Sequence, residues 1–138
     1  MNKIVIAMSV LGAVAFAGSA SAEKLKATLD AKSEVPANAS TATGTADIDY
    51  DAATKKLSWK VTYSGLTGPA TAAHFHGPAE AGKNAGVMVP IPGIATSPAE
   101  GSATLTDAQA SDLQAGKLYV NIHTAANPGG EIRGQVTK

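Results

Sequence analysis

Leu57-Ser58-Trp59-Lys60-Val61-Thr62-Tyr63 places an apolar or aromatic side chain at every second position, with a polar one between. Side chains on a strand alternate faces, so this stretch predicts a β-strand with Leu57, Trp59 and Val61 turned to a core. Upstream, Ala46, Ile48 and Tyr50 repeat the pattern. The intervening Asp51-Ala52-Ala53-Thr54-Lys55-Lys56 is polar and of hairpin-loop length, so these two strands form the firmest antiparallel pair. Leu25, Ala27, Leu29 and Ala31 mark an earlier strand, and further strands are expected near 70–76, 86–91, 101–106, 117–123 and 131–137. Eight short strands with little helix predict an all-β fold, a Greek-key β-sandwich or barrel. One short helix fits between strands: Thr106-Asp107-Ala108-Gln109 reads as a capping box, Gly116 as its end and Leu113 as its anchor to the core. Pro90 and Pro92 make the strand before them short or an edge.

Residues 1–22 read as an export signal. Lys3 supplies a positive start, Ile4 to Ala17 an apolar run, and Ala20-Ser21-Ala22 a small-x-small cleavage site before Glu23. The run is too short for a membrane span. The expected mature chain, 23–138, is long enough for one domain with a real core and too short for two. Its expected location is periplasmic or secreted. Without Lys3 the chain has ten basic residues against eleven acidic ones, in no run longer than two, so neither nucleic acid nor an anionic membrane is implied as partner. There is no cysteine, which removes disulfides, thiolate metal sites and thiol catalysis. Of six aromatic residues, Phe16 falls in the signal. Trp59 is therefore expected inside a core built mainly of Val, Ile, Leu and Ala, with carbohydrate stacking as its alternative use.

The chain has three histidines, in His74-Phe75-His76 and at His123. Two residues apart on a strand means one face, so His74 and His76 project together and Phe75 points away. In Leu118-Tyr119-Val120-Asn121-Ile122-His123 the apolar face is Leu118, Val120 and Ile122, which leaves Tyr119, Asn121 and His123 on the other. If the two strands share a sheet, three imidazoles converge on a divalent metal with a position left open, a donor set suited to copper or zinc. Histidines at the surface or in local hydrogen bonds are the plain alternative. Asn121 and Asn127 are candidates to fix an imidazole tautomer, or Asn127 to shape the turn before Pro128. Glu34 either ligates or hydrogen-bonds across the sheet, or is a buried carboxylate held by backbone amides. Gly129-Gly130 reads as turn chemistry, since no helix follows it to cradle a phosphate. No serine or aspartate forms a hydrolytic motif with a histidine.

Glu34-Val35-Pro36, Ser64-Gly65-Leu66, Ala72-Ala73-His74-Phe75-His76-Gly77-Pro78-Ala79 and the block from Leu118 to Thr124 running into Asn127-Pro128-Gly129-Gly130-Glu131-Ile132-Arg133-Gly134-Gln135 together resemble a chordin-type (CHRD) domain. The resemblance covers nearly all of 23–138 and implies a single β domain of an exported protein, without selecting an activity. A weaker similarity is to copper–zinc superoxide dismutases. There a strand delivers a His-x-His pair to copper, a later strand ends in another copper histidine, and an arginine follows a glycine-containing loop. His74, His76, His123 and Arg133 match those positions, whereas the bridging and zinc histidines and the disulfide have no counterpart. This similarity implies a superoxide-dismutase-like barrel with one copper on His74, His76 and His123, cycling between Cu(II) and Cu(I) on superoxide while Arg133 attracts the anion. Zinc is the less favoured metal. A salt bridge from Arg133 to Glu131 on the same strand face, or to another carboxylate, is the structural alternative. Two other functions remain: copper sequestration or delivery without turnover, and a metal-independent protein-interaction module.

Overall fold

The computed structural model describes residues 22–138; the expected export signal lies outside them, apart from Ala22. Eight antiparallel strands and one helix follow in the order β1 (Ala22–Asp30), β2 (Thr43–Asp51), β3 (Lys56–Ser64), β4 (Ala70–His76), β5 (Val87–Pro90), β6 (Ala99–Thr104), α1 (Asp107–Gln114), β7 (Tyr119–Thr124) and β8 (Ile132–Gln135). They form one nearly closed, barrel-like sheet in the order β5-β4-β7-β8-β1-β2-β3-β6. Meander β1-β2-β3 and hairpin β7-β8 meet at the β8-β1 seam, and crossovers carry the chain between non-neighbouring strands.

The alternation predicted for β3 is present: Leu57, Trp59 and Val61 are buried, and Tyr63 is half-buried with its hydroxyl donating to Ile94 O at 2.6 Å. β2 and β3 pair from Thr43↔Ser64 to Asp51↔Lys56, so the expected hairpin forms, with its strands reaching one residue further into the turn at each end. Asp51 closes it by accepting from Ala53 N at 2.9 Å, an Asx turn. Trp59 lies inside, its ring 5.2 Å from Phe75 and its six-membered edge against Gly101, where a Cβ would collide with it. It is a core residue, so carbohydrate stacking is not its role.

The helix forms as its cap predicts. Thr106 Oγ1 accepts from Gln109 N, Gln109 Oε1 accepts from Thr106 N, and Leu113 is buried. β5 is a four-residue edge strand, as its prolines require. Several strand boundaries differ from expectation, among them those of β6 and β8. β6 starts at Ala99 and stops at Thr104, because Leu105 and Thr106 leave the sheet to enter the helix cap. β8 ends at Gln135, with Thr137 rejoining only through an isolated bridge to Lys26.

The larger difference is at β7. Leu118, Val120 and Ile122 are fully buried as predicted, but so are Tyr119 and Asn121 on the opposite face. That face is partly covered. Segments 31–38 and 77–86 lie against Tyr119, His76 and Arg133, while His74 and His123 stay half-buried.

Candidate metal centre

β4 and β7 are antiparallel neighbours with His74 opposite Asn121, His76 opposite Tyr119 and Ala72 opposite His123. The pleat therefore sets His74 and His76 side by side on the outer face, and His123 diagonally across from His74. Phe75 points inward and is fully buried, as the spacing predicts. One ring nitrogen from each histidine lies within 4.8 Å of the others. A shared ion at about 2.1 Å from each nitrogen requires pairs no wider than about 4.2 Å, so the widest pair must close by roughly half an ångström.

Backbone carbonyls decide which nitrogens face the centre. His76 Nδ1 lies 3.0 Å from Ala85 O and His123 Nδ1 lies 2.9 Å from Pro128 O. A carbonyl only accepts, so both Nδ1 atoms carry the proton and both Nε2 atoms keep a free lone pair. His76 Nε2 is buried and has no hydrogen-bond partner. His123 Nε2 lies 3.1 Å from His74 Nδ1, which donates to it in the metal-free chain. Burial lowers the His74 pKa, with the neighbouring His123 and His76 adding to the effect. Burial lowers that of His76 as well, against the opposing hydrogen bond to Ala85 and the nearby Asn121 amide. Both rings are thus biased toward the neutral form that binds metals.

Around this cluster lies a buried network. Arg133 Nε donates to Glu34 Oε1 at 2.7 Å, Nη1 to Lys83 O at 3.1 Å and Nη2 to Asn84 Oδ1 at 2.6 Å. Its guanidinium lies 4.0 Å from the centre of the Tyr119 ring, and Tyr119 stacks on His76 with centroids 4.8 Å apart and planes 3° from parallel. The Asn121 amide nitrogen and Glu34 Oε2 both border the space that a Cβ at Gly130 would take. Burial raises the Glu34 pKa, and the Arg133 charge and hydrogen bond oppose that rise. Glu34 is a buried carboxylate as expected, but an arginine holds it and not backbone amides.

Arg133 thus pairs with a carboxylate, as its structural alternative allows, and that carboxylate is Glu34 and not Glu131. Glu131 is fully buried and accepts from Thr67 Oγ1 at 2.5 Å, Thr67 N at 3.0 Å, Thr124 Oγ1 at 2.8 Å, Ser40 Oγ at 2.8 Å and Asn127 Nδ2 at 3.2 Å. Four hydroxyl or amide side chains and an amide N–H replace the guanidinium, because Glu131 precedes β8 and turns into the 124–131 loop. Asn127 shapes that loop, exchanging backbone hydrogen bonds with Thr124. Gly130 takes φ +127°, and a Cβ there would overlap Glu34 Oε2, so the glycine pair is turn chemistry that also makes room for the carboxylate. The residues missed from the sequence are those that fix the histidines, Ala85 and Pro128 through their carbonyls and Tyr119 through its ring, and Asn84, whose amide bonds Arg133 and Val35. Carbonyls carry no sequence signal, and nothing in the spacing marks the other two.

Among known proteins, the family model described as CHRD domain matches residues 25–136. No curated protein and no solved structure matches significantly. No helix of the described residues is long and apolar enough to cross a membrane.

Proposed function

The chain belongs to the CHRD domain family, whose domains occur in extracellular proteins, and from that premise we propose that it is an exported module that holds a copper ion on His74, His76 and His123. The observation that supports this reading best is the pair of carbonyl-locked imidazoles. Ala85 O and Pro128 O fix the tautomers of His76 and His123 so that the Nε2 lone pairs face the cluster, and His76 Nε2 stays unpartnered although buried. A buried acceptor without a donor costs stability, about 1–3 kcal/mol, unless a ligand completes it. Neutral imidazoles without sulfur or carboxylate suit copper above zinc on the affinity order of the divalent ions. Bound copper would supply one-electron redox chemistry.

What the chain's own residues do favours holding and handing on the metal over superoxide turnover. Turnover asks Arg133 to meet an anion, yet its side chain is 5% exposed and its nitrogens are engaged by Glu34, Lys83 and Asn84. We therefore infer periplasmic or secreted copper sequestration or delivery.

The test is titration of the metal-free protein with Cu(II), followed by electron paramagnetic resonance of wild type and His123→Ala. One copper per chain with nitrogen couplings, changed in the variant, is expected. Absence of stoichiometric uptake would overturn the reading and leave a metal-independent interaction module. A superoxide assay of the loaded protein separates turnover from storage.

A further inference from the structure

His76 is the last residue of β4, and its tautomer depends on a carbonyl in a segment with no regular structure. The strap 77–86 is largely exposed, above all from 80 to 84, so it has little packing of its own to keep Ala85 in place. Ala79 ties its near end, donating to Lys117 O at 2.8 Å while its carbonyl accepts from Gln135 Nε2 at 2.8 Å. Its far end is held from β8 and β7, and through Gly86 O, which accepts from Gly77 N at 3.3 Å. Arg133 reaches Lys83 O and Asn84 Oδ1, Asn84 Nδ2 donates to Val35 O at 3.2 Å, and the Tyr119 hydroxyl accepts from Ala85 N and donates to Ala85 O, both at 3.1 Å. The same guanidinium covers one face of Tyr119, whose ring stacks on His76.

We propose that Arg133 is a positioning residue of the metal centre, clamping the 77–86 strap so that the Ala85 carbonyl keeps the proton on His76 Nδ1 and Nε2 stays turned to the ion. This rests on the metal-binding reading above but gives Arg133 a different part from anion attraction. Its three nitrogens are divided between an anchor, Glu34, and two strap contacts, a division for which a planar fork is suited and an ammonium is not. With the clamp loosened, Ala85 leaves His76, the ring exchanges tautomers and the metal loses a preoriented ligand. Partners of this kind change metal affinity by about 10–100-fold when removed.

Two variants probe the clamp without stranding a buried charge, as Arg133→Ala would. Asn84→Ala removes an exposed side chain that joins Arg133 to the strap. Arg133→Lys keeps the positive charge near Glu34 and loses the fork. In the metal-free full chain, nitrogen-15 NMR should show His76 protonated at Nδ1 in wild type and a mixture of tautomers in both variants, with the fold retained. In the copper-loaded chain, transfer to a competing chelator should quicken by about 10–100-fold in the variants, and the signal of the His76 remote nitrogen in pulsed electron paramagnetic resonance should change. A wild-type tautomer ratio in both variants would overturn the proposal, as would wild-type transfer rates in both. If wild type binds no copper, the functional reading fails, and the tautomer measurement still decides whether Arg133 positions His76.

Discussion

Glu131 and Glu34 are both buried carboxylates, and their surroundings treat them oppositely. Burial alone would raise the pKa of Glu131, but hydrogen bonds from Thr67, Thr124 and Ser40 bring it down to about 2. A depressed folded-state pKa stabilises the protein above the ordinary carboxylate range and loses that contribution as pH falls toward the folded value. Between pH 4.5 and 2 the protein should therefore lose on the order of 3 kcal/mol from this one group. Urea denaturation across that range is the check, and Glu131→Gln should flatten the profile. An unchanged slope in the variant would show that the hydroxyl cage does not hold an anion. Glu34 instead receives its compensation from one guanidinium, which explains why the glycine at 130 matters there: any larger side chain would take the carboxylate's place.

Among the elements, α1 is the one whose formation is most nearly local. Eight residues are too few for a helix that stands on propensity alone. The reciprocal Thr106–Gln109 cap and the buried Leu113 compensate. Thr106→Ala should cost about 1 kcal/mol in denaturant unfolding and leave copper uptake as in wild type, since α1 supplies no ligand. A loss of copper binding in that variant would mean the helix supports the centre in a way its contacts do not suggest. The strands show the complementary case. β4 and β7 were legible from period two alone, and so was the side of each strand that its histidines take, because the pleat transmits side-chain direction without help from distant residues; the convergence of three imidazoles also needs β4 and β7 to be neighbours.

Over the whole molecule, the three-histidine cluster sits on one barrel wall beneath segments that arrive from three places in the chain: 31–38, 77–86 and 124–131. Binding an ion to the folded state alone must stabilise all of it together. At free copper a hundred times the dissociation constant the gain is about 2.7 kcal/mol, or a rise of about 10 °C in the melting temperature of a domain this size. His74→Ala should abolish the rise. A melting temperature indifferent to copper would argue against a site formed only in the native state.

Local geometry was readable from the residues themselves. Alternation gave the strands, a hairpin-length polar run the β2–β3 turn, a Ser/Thr-type cap the helix, and spacing the shared face of His74 and His76 and the outward turn of His123. The tertiary fold decided what surrounds that face. Arg133 meets Glu34 across 99 positions of chain and not Glu131 two residues away, and Asn121 and Tyr119 are buried although they alternate out of the barrel. The reason is physical. Pleat and cap depend on a few consecutive dihedrals, whereas a covered outer face, a carbonyl against an imidazole and a buried ion pair depend on where irregular segments return, which no periodicity records.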